Sequence, residues 1–252
     1  MKFYFSSSNN KDSINAKRRL IKKYGQNKVE ECDVIVPLGG DGFLLRNLRQ
    51  YYKLNKDFYG INYGSVGFLM NAKSNKDLDK IVEKSKTTIL YPLEMKAENV
   101  NKKSYSTIAF NEVSLMRQTH QAAKISIKVN NILRMKELVC DGVLLSTPAG
   151  STAYNLSAHG SIIPLDSNLL ALTPISAFRP RRWRGALLKQ NTNIEFKIEE
   201  FKNRKVSVSA DNIEFKNIKK VKIKGKKNIF CKLLFNDEQS IDEKVLKEQF
   251  LD

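Results

Sequence analysis

A short glycine-rich turn carries the most specific chemical signal in the chain. Residues 39–42 read Gly-Gly-Asp-Gly, between a buried-strand pattern over 33–38 and helical spacing over 43–52. Glycines let the backbone turn tightly and bring its amides close to an anion, and a helix N-terminus adds a favourable field. The enclosed Asp41 can accept a proton from a hydroxyl or orient a metal–phosphate complex. A tight turn capped by the aspartate is the plain alternative.

A second segment supplies hydroxyls and exposed amides. The hydrophobic stretch 139–146, which contains Asp141, leads into residues 147–154, with the sequence Thr-Pro-Ala-Gly-Ser-Thr-Ala-Tyr. Such a loop suits hydrogen bonding to a ribose, an amide or a phosphate, although ordinary turns have the same composition. Ser151 is not predicted to be a hydrolase nucleophile, because no Gly-x-Ser-x-Gly elbow surrounds it.

A polar pair interrupts an apolar run. Asn111 and Glu112 lie within residues 108–115, where every other residue except Ser114 is apolar. Buried polar side chains must find partners. A carboxylate can accept from both hydroxyls of a ribose, and an amide can donate to and accept from a base. Taken alone, the pair equally fits the end of a strand.

The standard phosphate-binding motifs do not occur in the sequence. There is no Gly-x-x-x-x-Gly-Lys-Ser/Thr, and residues 60–67, Gly-Ile-Asn-Tyr-Gly-Ser-Val-Gly, do not match Gly-x-Gly-x-x-Gly. Three widely spaced cysteines and two isolated histidines argue against a disulfide framework and a structural zinc site. We therefore expect a cytoplasmic protein. Any phosphate site in it would be built from a motif other than these two.

The elements that must position these residues fall into two patterns. Up to about residue 92, strand and helix signals alternate, which predicts an α/β domain with a parallel sheet over 1–92. From 93 to 236, apolar and polar residues alternate in short runs, which predicts an all-β domain. Residues 237–252 are predicted to form a terminal helix.

The net charge of the chain is a weaker indicator of function than these motifs. The 252 residues include 44 Lys and Arg against 26 Asp and Glu, a net charge of +18, which raises the possibility of a nucleic-acid binder. In the densest basic stretch, 202–232, lysines alternate with apolar residues, a pattern typical of strands with one wet face. We therefore expect no nucleic-acid partner. We also expect no membrane partner, because no run approaches the ~20 apolar residues of a membrane span.

Together, residues 39–42, Asn111-Glu112 and the segment from Asp141 to 154 resemble the NAD kinase family in order and spacing. Residues 60–69 resemble the family's second glycine segment. The resemblance implies transfer of the γ-phosphoryl group of ATP, or of polyphosphate in some members, to the adenosine 2′-hydroxyl of NAD. It also implies an α/β domain and a β domain with NAD in the cleft between them, a terminal segment that returns to the first domain, and a homodimer or homotetramer.

The resemblance also implies roles for individual residues. Asp41 would be the catalytic base, Asn111 and Glu112 would bind adenine and ribose groups, and Asp141 the nicotinamide half. Magnesium would arrive with ATP, and no tightly bound organic cofactor is expected. The remaining implied contacts are with phosphate, from Gly39, Gly40, Gly42 and Arg46, and with NAD, from Asp41, Gly42, Arg46, Thr152, Ala153, Tyr154, Asn155, Leu156 and Ser157.

One enzyme alternative shares part of the signature. A lipid kinase of the diacylglycerol-kinase type has a similar glycine–aspartate turn. It would leave Asn111, Glu112 and the loop 147–154 without a role.

Overall fold

The computed structural model of the chain describes residues 1–65, 67–181, 183–236, 243–244 and 250. The chain divides into two compact units: Met1–Leu90 with Ile229–Asp252, and Tyr91–Asn228. Among the described residues, no helix is both long enough and apolar enough to span a lipid bilayer. The predicted terminal helix lies outside the described residues, apart from 243, 244 and 250.

The first unit contains three helices, one 3-10 turn (Tyr52–Leu54) and six strands within its described residues. The helices are α1 (Lys11–Tyr24), α2 (Asp41–Tyr51) and α3 (Leu78–Glu83). The strands are β1 (Phe3–Ser7), β2 (Val34–Gly39), β3 (Asp57–Phe58), β4 (Ile61–Asn62), β5 (Lys86–Leu90) and β18 (Cys231–Phe235).

These strands form one sheet in the order β1-β2-β3-β18-β5, with β4 also paired to β2. All its pairs are parallel except that of β18 with β5, so the predicted parallel sheet has one antiparallel edge. Apolar residues of β1 and β2 pack with α1 and α3 in a core that includes Phe3, Phe5, Ala16, Val36 and Val82. Strand β2 is buried along its whole length, so it is the fixed support from which the glycine turn departs.

The second unit is built almost entirely from antiparallel strands. They are β6 (Leu93–Asn99), β7 (Ser104–Ala109), β8 (Glu112–Arg117), β9 (Ala123–Val129), β10 (Ile132–Cys140), β11 (Gly142–Ser146), β12 (Leu169–Ile175), β13 (Ala186–Lys189), β14 (Asn193–Ile198), β15 (Val206–Ala210), β16 (Ile213–Phe215) and β17 (Ile218–Gly225), with one short helix, α4 (Tyr154–Ser157).

The strands make two six-stranded sheets, β10-β9-β14-β17-β6-β7 and β13-β12-β11-β8-β15-β16. Alternate apolar residues from both sheets meet in one core, which includes Leu93, Ile125, Phe196, Leu145 and Val208. The turn at 130–131 joins β9 to β10, where both asparagines have the positive φ angles, 50° and 66°, that a two-residue hairpin favours.

One segment lies outside the unit to which its sequence pattern assigned it. Residues 231–235 were predicted to end the β domain, but they form β18, between β3 and β5 of the first sheet. A short apolar strand pattern does not reveal which sheet it joins. Since β18 is buried on both faces at Leu233, Leu234 and Phe235, it suits the interior of a helix-covered sheet.

Asn71 ties β18 to the loop that follows β4. Its side chain is fully buried. The Asn71 amide nitrogen donates to the carbonyl oxygens of Gly60 (3.2 Å) and Leu234 (2.9 Å), and its Oδ1 accepts from the N–H of Asn236 (2.9 Å). One side chain thus hydrogen-bonds to three backbone groups from the loop after β3, from β18 and from the residue that follows β18.

We predict that Asn71→Ala lowers the free energy of unfolding by about 1–3 kcal/mol, because buried backbone groups would lose their partner. Urea denaturation measures the change. The matched control is Asn75→Ala, at an exposed position in the same loop, which should stay within about 0.5 kcal/mol of the parent. An Asn71→Ala variant as stable as the control would contradict this role.

Candidate active site

The first group of candidate residues lies where β2 ends and α2 begins. Gly40 is the residue before α2, and Asp41 is its first residue. A Cβ atom on Gly39 would lie 2.9 Å from the Cβ of Phe43, so the strand end is packed closely on the first helical turn. Gly42 is exposed and has open space beside its Cα atom. The turn therefore presents backbone that a ligand can approach.

The second glycine segment packs directly on the first. A Cβ atom on Gly64 would lie 3.0 Å from the Cα of Gly40, and the N–H of Tyr63 donates to the carbonyl oxygen of Gly39 (2.8 Å). A side chain at position 64 would therefore crowd the backbone of Gly40, which explains the glycine at 64. The segment over 60–69 therefore shapes the turn at 39–42.

Asp41 holds this second segment with both carboxylate oxygens. Oδ2 accepts the N–H of Phe68 (2.8 Å) and Oδ1 that of Leu69 (2.9 Å). Burial raises the pKa of the Asp41 carboxyl, while these two hydrogen bonds and the charge of Lys244 oppose the rise. A carboxylate with a raised pKa is a stronger proton acceptor than a solvent-exposed one, which suits general-base work.

Arg46 lies one turn further along α2 and is exposed. Its guanidinium carbon lies 5.4 Å from the ring centroid of Phe43, a cation–π distance. The contact holds the predicted phosphate-binding cation near the start of its own helix.

In the second unit, Asn111 and Glu112 lie at the start of β8, where their backbone is held by a carboxylate that is distant in sequence. The N–H groups of Phe110 and Asn111 each donate to Asp211, at 2.9 Å in both cases. The N–H of Asp211 donates back to the carbonyl oxygen of Glu112 (3.0 Å). Asp211, in the turn between β15 and β16, therefore fixes the position of the polar pair.

The side chains of this pair contain two buried oxygens without a partner. Among the described residues, Asn111 Oδ1 and Glu112 Oε2 are buried and accept no hydrogen bond. Burial and the nearby charge of Asp211 raise the pKa of Glu112 to about 8. Leaving such atoms buried and unpaired costs free energy, so they indicate a place where a ligand supplies the missing donors.

The hydroxyl-rich loop is fitted against the same backbone. Thr147 donates from its hydroxyl to the carbonyl oxygen of Phe110 (2.6 Å) and from its N–H to that of Asn111 (2.9 Å). A Cβ atom on Gly150 would lie 2.4 Å from the carbonyl oxygen of Asn111, so only glycine fits there. The loop and the polar pair thus form one rigid group.

Asn155, predicted to bind NAD, is occupied inside the protein. Its fully buried amide nitrogen donates to the carbonyl oxygens of Ser151 (3.0 Å) and Ser161 (2.9 Å), and its Oδ1 accepts from the hydroxyl of Thr173 (2.7 Å). This side chain holds the loop in shape. Its predicted neighbours are more accessible: Thr152, Ala153, Tyr154 and Leu156 are half-buried, and Ser157 is exposed.

Asp141 is paired with Arg117, which sequence reasoning missed. The Nε of Arg117 donates to Asp141 Oδ1 (2.6 Å), and the two side chains line an open cavity together with Met116, Gln118, Thr119 and His120. The hydroxyl of Tyr154 donates to the sulfur of Met116 (3.3 Å), and burial together with the charges of Glu112 and Asp141 raises its pKa. Tyr154 therefore contacts Met116, which lines the same cavity as Asp141 and Arg117.

Two solved structures share this fold. The chain is similar to an NAD kinase from Archaeoglobus fulgidus solved in complex with ATP, with a TM-score of 0.79, 22% identity and complete coverage of both chains. It is similar to a yeast NADH kinase complexed with NADH, with a TM-score of 0.80 and 19% identity over 98% of this chain and 86% of that one. The chain thus shares the fold of these two proteins.

Sequence comparison identifies the family. Residues 110–226 match the family model of the ATP-NAD kinase C-terminal domain. The chain shares 51% identity with the NAD kinase of Rickettsia felis and 50% with that of Rickettsia prowazekii, in each case over 91% of this chain and 90% of the relative. The chain therefore belongs to the NAD kinase family, as its motifs predicted, and the lipid-kinase alternative is wrong.

We predict that Glu112→Gln weakens the loss of stability towards alkaline pH. The unfolded chain releases this proton near the ordinary pKa of 4.5, whereas the folded protein keeps it until about 8. The folded state then binds more protons across this window, so the free energy of unfolding falls as pH rises through it. Glutamine keeps the shape and removes the titration.

Denaturant unfolding at several pH values between these limits measures the effect. Glu137→Gln, at a more exposed carboxylate on β10, is the matched control and should retain the parent's pH dependence. If Glu112→Gln and the parent lose stability equally, the Glu112 carboxyl is not held protonated by its surroundings.

Proposed function

We propose that this protein transfers the γ-phosphoryl group of MgATP to the 2′-hydroxyl of the adenosine ribose of NAD, which gives NADP. The observation that carries the proposal is the pair of buried oxygens without partners, Asn111 Oδ1 and Glu112 Oε2, in a chain that belongs to the NAD kinase family. Ribose hydroxyls and an adenine amino group are the donors that such oxygens lack.

Asp41 would act as the base. Its carboxylate takes the proton of the 2′-hydroxyl as that oxygen bonds to the γ-phosphorus, while the bond from the γ-phosphorus to the β,γ-bridging oxygen breaks and ADP leaves. Support comes from the burial that raises its pKa and from the two N–H donors, Phe68 and Leu69, that fix both carboxylate oxygens. Phosphoryl transfer depends mainly on such positioning and on charge neutralisation.

The glycine turn would serve the phosphates. The open backbone at Gly42 and the exposed Arg46 are the groups of the first unit that suit contact with a polyphosphate chain, with Gly39 and Gly40 forming the turn itself. Magnesium, which enters with the nucleotide as part of the substrate, supplies neutralisation of the triphosphate charge.

Asn111 and Glu112 would bind the adenosine half of NAD, and Asp141 the nicotinamide half. A carboxyl with a pKa of about 8 is mainly protonated near neutral pH, so Glu112 can both donate to and accept from sugar hydroxyls. The ion pair with Arg117 would fix the Asp141 carboxylate, which can accept from the carboxamide of the nicotinamide. Thr152, Ala153 and Tyr154 would line the same pocket, with Asn155 acting from behind through the loop.

We propose that the enzyme acts as a homodimer or homotetramer in the cytoplasm. Sedimentation equilibrium of the purified chain tests the assembly, and a monomer at micromolar concentration would contradict it.

We predict that Asp41→Asn lowers kcat by about 10²–10⁴-fold, because the asparagine amide cannot take the proton. NADP formation from ATP, magnesium and NAD is followed with a coupled NADP-dependent dehydrogenase, and the Kd for NAD should change by less than about threefold. Asp12→Asn, at an exposed position in the first turn of α1, is the control and should keep full turnover. Near-normal turnover of Asp41→Asn would remove it as the base.

We predict that Glu112→Ala weakens NAD binding by about 10- to 100-fold, the loss expected when hydrogen bonds to an ionisable group are removed. Calorimetric titration with NAD measures the Kd, and Glu137→Ala is the matched control. An unchanged Kd in Glu112→Ala would place this side chain outside the NAD site.

A further inference from the structure

A single lysine near the end of the chain grips the second glycine segment. The Nζ of Lys244 donates to the carbonyl oxygens of Gly67 (3.4 Å), Phe68 (3.3 Å) and Met70. An ammonium group has three N–H donors and no acceptor, so three carbonyl oxygens match its full donor set. Lys244 is half-buried, and the ring centroid of Phe235 lies 5.6 Å from its Nζ.

The Asp41 carboxylate binds the same segment through the N–H groups of that segment. It accepts the N–H groups of Phe68 and Leu69, while Lys244 binds the carbonyl oxygens on either side. Phe68 is held by both, with its N–H on the carboxylate and its carbonyl oxygen on the ammonium. A shift of Lys244 would therefore move the donors that fix the Asp41 carboxylate.

We infer that Lys244 is a positioning residue for the phosphoryl transfer: its ammonium holds residues 67–70 against Asp41 and thereby orients the carboxylate that accepts the proton. This inference rests on the proposed function, in which Asp41 is the base. The sequence motifs did not include Lys244, which is separated from Asp41 by two hundred residues of chain.

The charge of Lys244 has a separate, measurable effect. It opposes the burial that raises the pKa of Asp41, and Asp41 in turn opposes the burial that lowers the pKa of Lys244. Among the described residues, Lys244 is the ionisable group that acts on Asp41, since Arg46 on the same helix is exposed and lies against Phe43. Removal of the Lys244 charge should therefore raise the pKa of Asp41 further.

Three variants separate anchoring from charge. Lys244→Met removes both, Lys244→Gln keeps N–H donors without the charge, and Lys244→Arg keeps both. Lys28→Met is the matched control, because Lys28 is exposed in the same unit and pairs with Glu31. Thermal unfolding of each variant establishes that it is folded. If Lys244→Met does not fold, the comparison is made with Lys244→Gln.

We predict that Lys244→Met lowers kcat by about tenfold with the KM for NAD within about twofold, because the carboxylate is misaligned while the NAD-binding groups remain. The acid limb of the kcat/KM profile should move to higher pH in the Met and Gln variants, since the active form of Asp41 is the ionised one. Lys244→Arg should restore the limb, and Lys28→Met should leave it unchanged.

A direct titration of Asp41 distinguishes failure of this inference from failure of the proposed function. The carboxyl carbon is followed by ¹³C NMR and assigned by its loss in Asp41→Asn. A pKa that rises in the Met and Gln variants and returns in the Arg variant supports the inference. An Asp41 titration that is the same in all three overturns it, even if activity falls. Full turnover of Asp41→Asn would instead overturn the role of Asp41 as the base.

Discussion

The candidate chemistry of the first unit depends on one interaction, the grip of the Asp41 carboxylate on the N–H groups of Phe68 and Leu69. It requires the end of a fully buried strand to pack closely on the first turn of α2, which Gly39 permits. It also requires the segment after β4 to approach within backbone contact, which Gly64 permits. The Asp41 carboxylate therefore has a structural role in this unit in addition to the catalytic role proposed for it.

In the second unit, a different carboxylate, that of Asp211, holds the backbone beside the candidate residues. Asp211 anchors the backbone at Phe110 and Asn111, while among the described residues Asn111 Oδ1 and Glu112 Oε2 are buried and accept no hydrogen bond. The cost is a pair of carboxyl groups close together in a poorly hydrated region, where one of them keeps its proton to about pH 8. The backbone is thus anchored by Asp211, and ligand binding is the role proposed for Glu112.

Local patterns predicted the parts of the site that are continuous in sequence. The turn containing Asp41, the pair at 111–112 and the loop from 147 each have a distinctive composition over a few residues, and the family resemblance they carry is confirmed. Arg117 and Lys244 have no such signature, because their partners lie far away in sequence and are brought near only by the fold. Composition also did not indicate that the side chain of Asn155 forms hydrogen bonds within the protein and stabilises the loop.

The position of β18 has a consequence for synthesis on the ribosome. Its residues pair with β3 and β5, which leave the ribosome about 175 and about 145 residues earlier, so the first sheet stays open until β18 has been translated. The second unit, by contrast, is continuous from Tyr91 to Asn228 and has all its strands available sooner. The nascent chain must therefore protect the unpaired edges of β3 and β5 for most of its translation, which makes this the stage most exposed to misassembly.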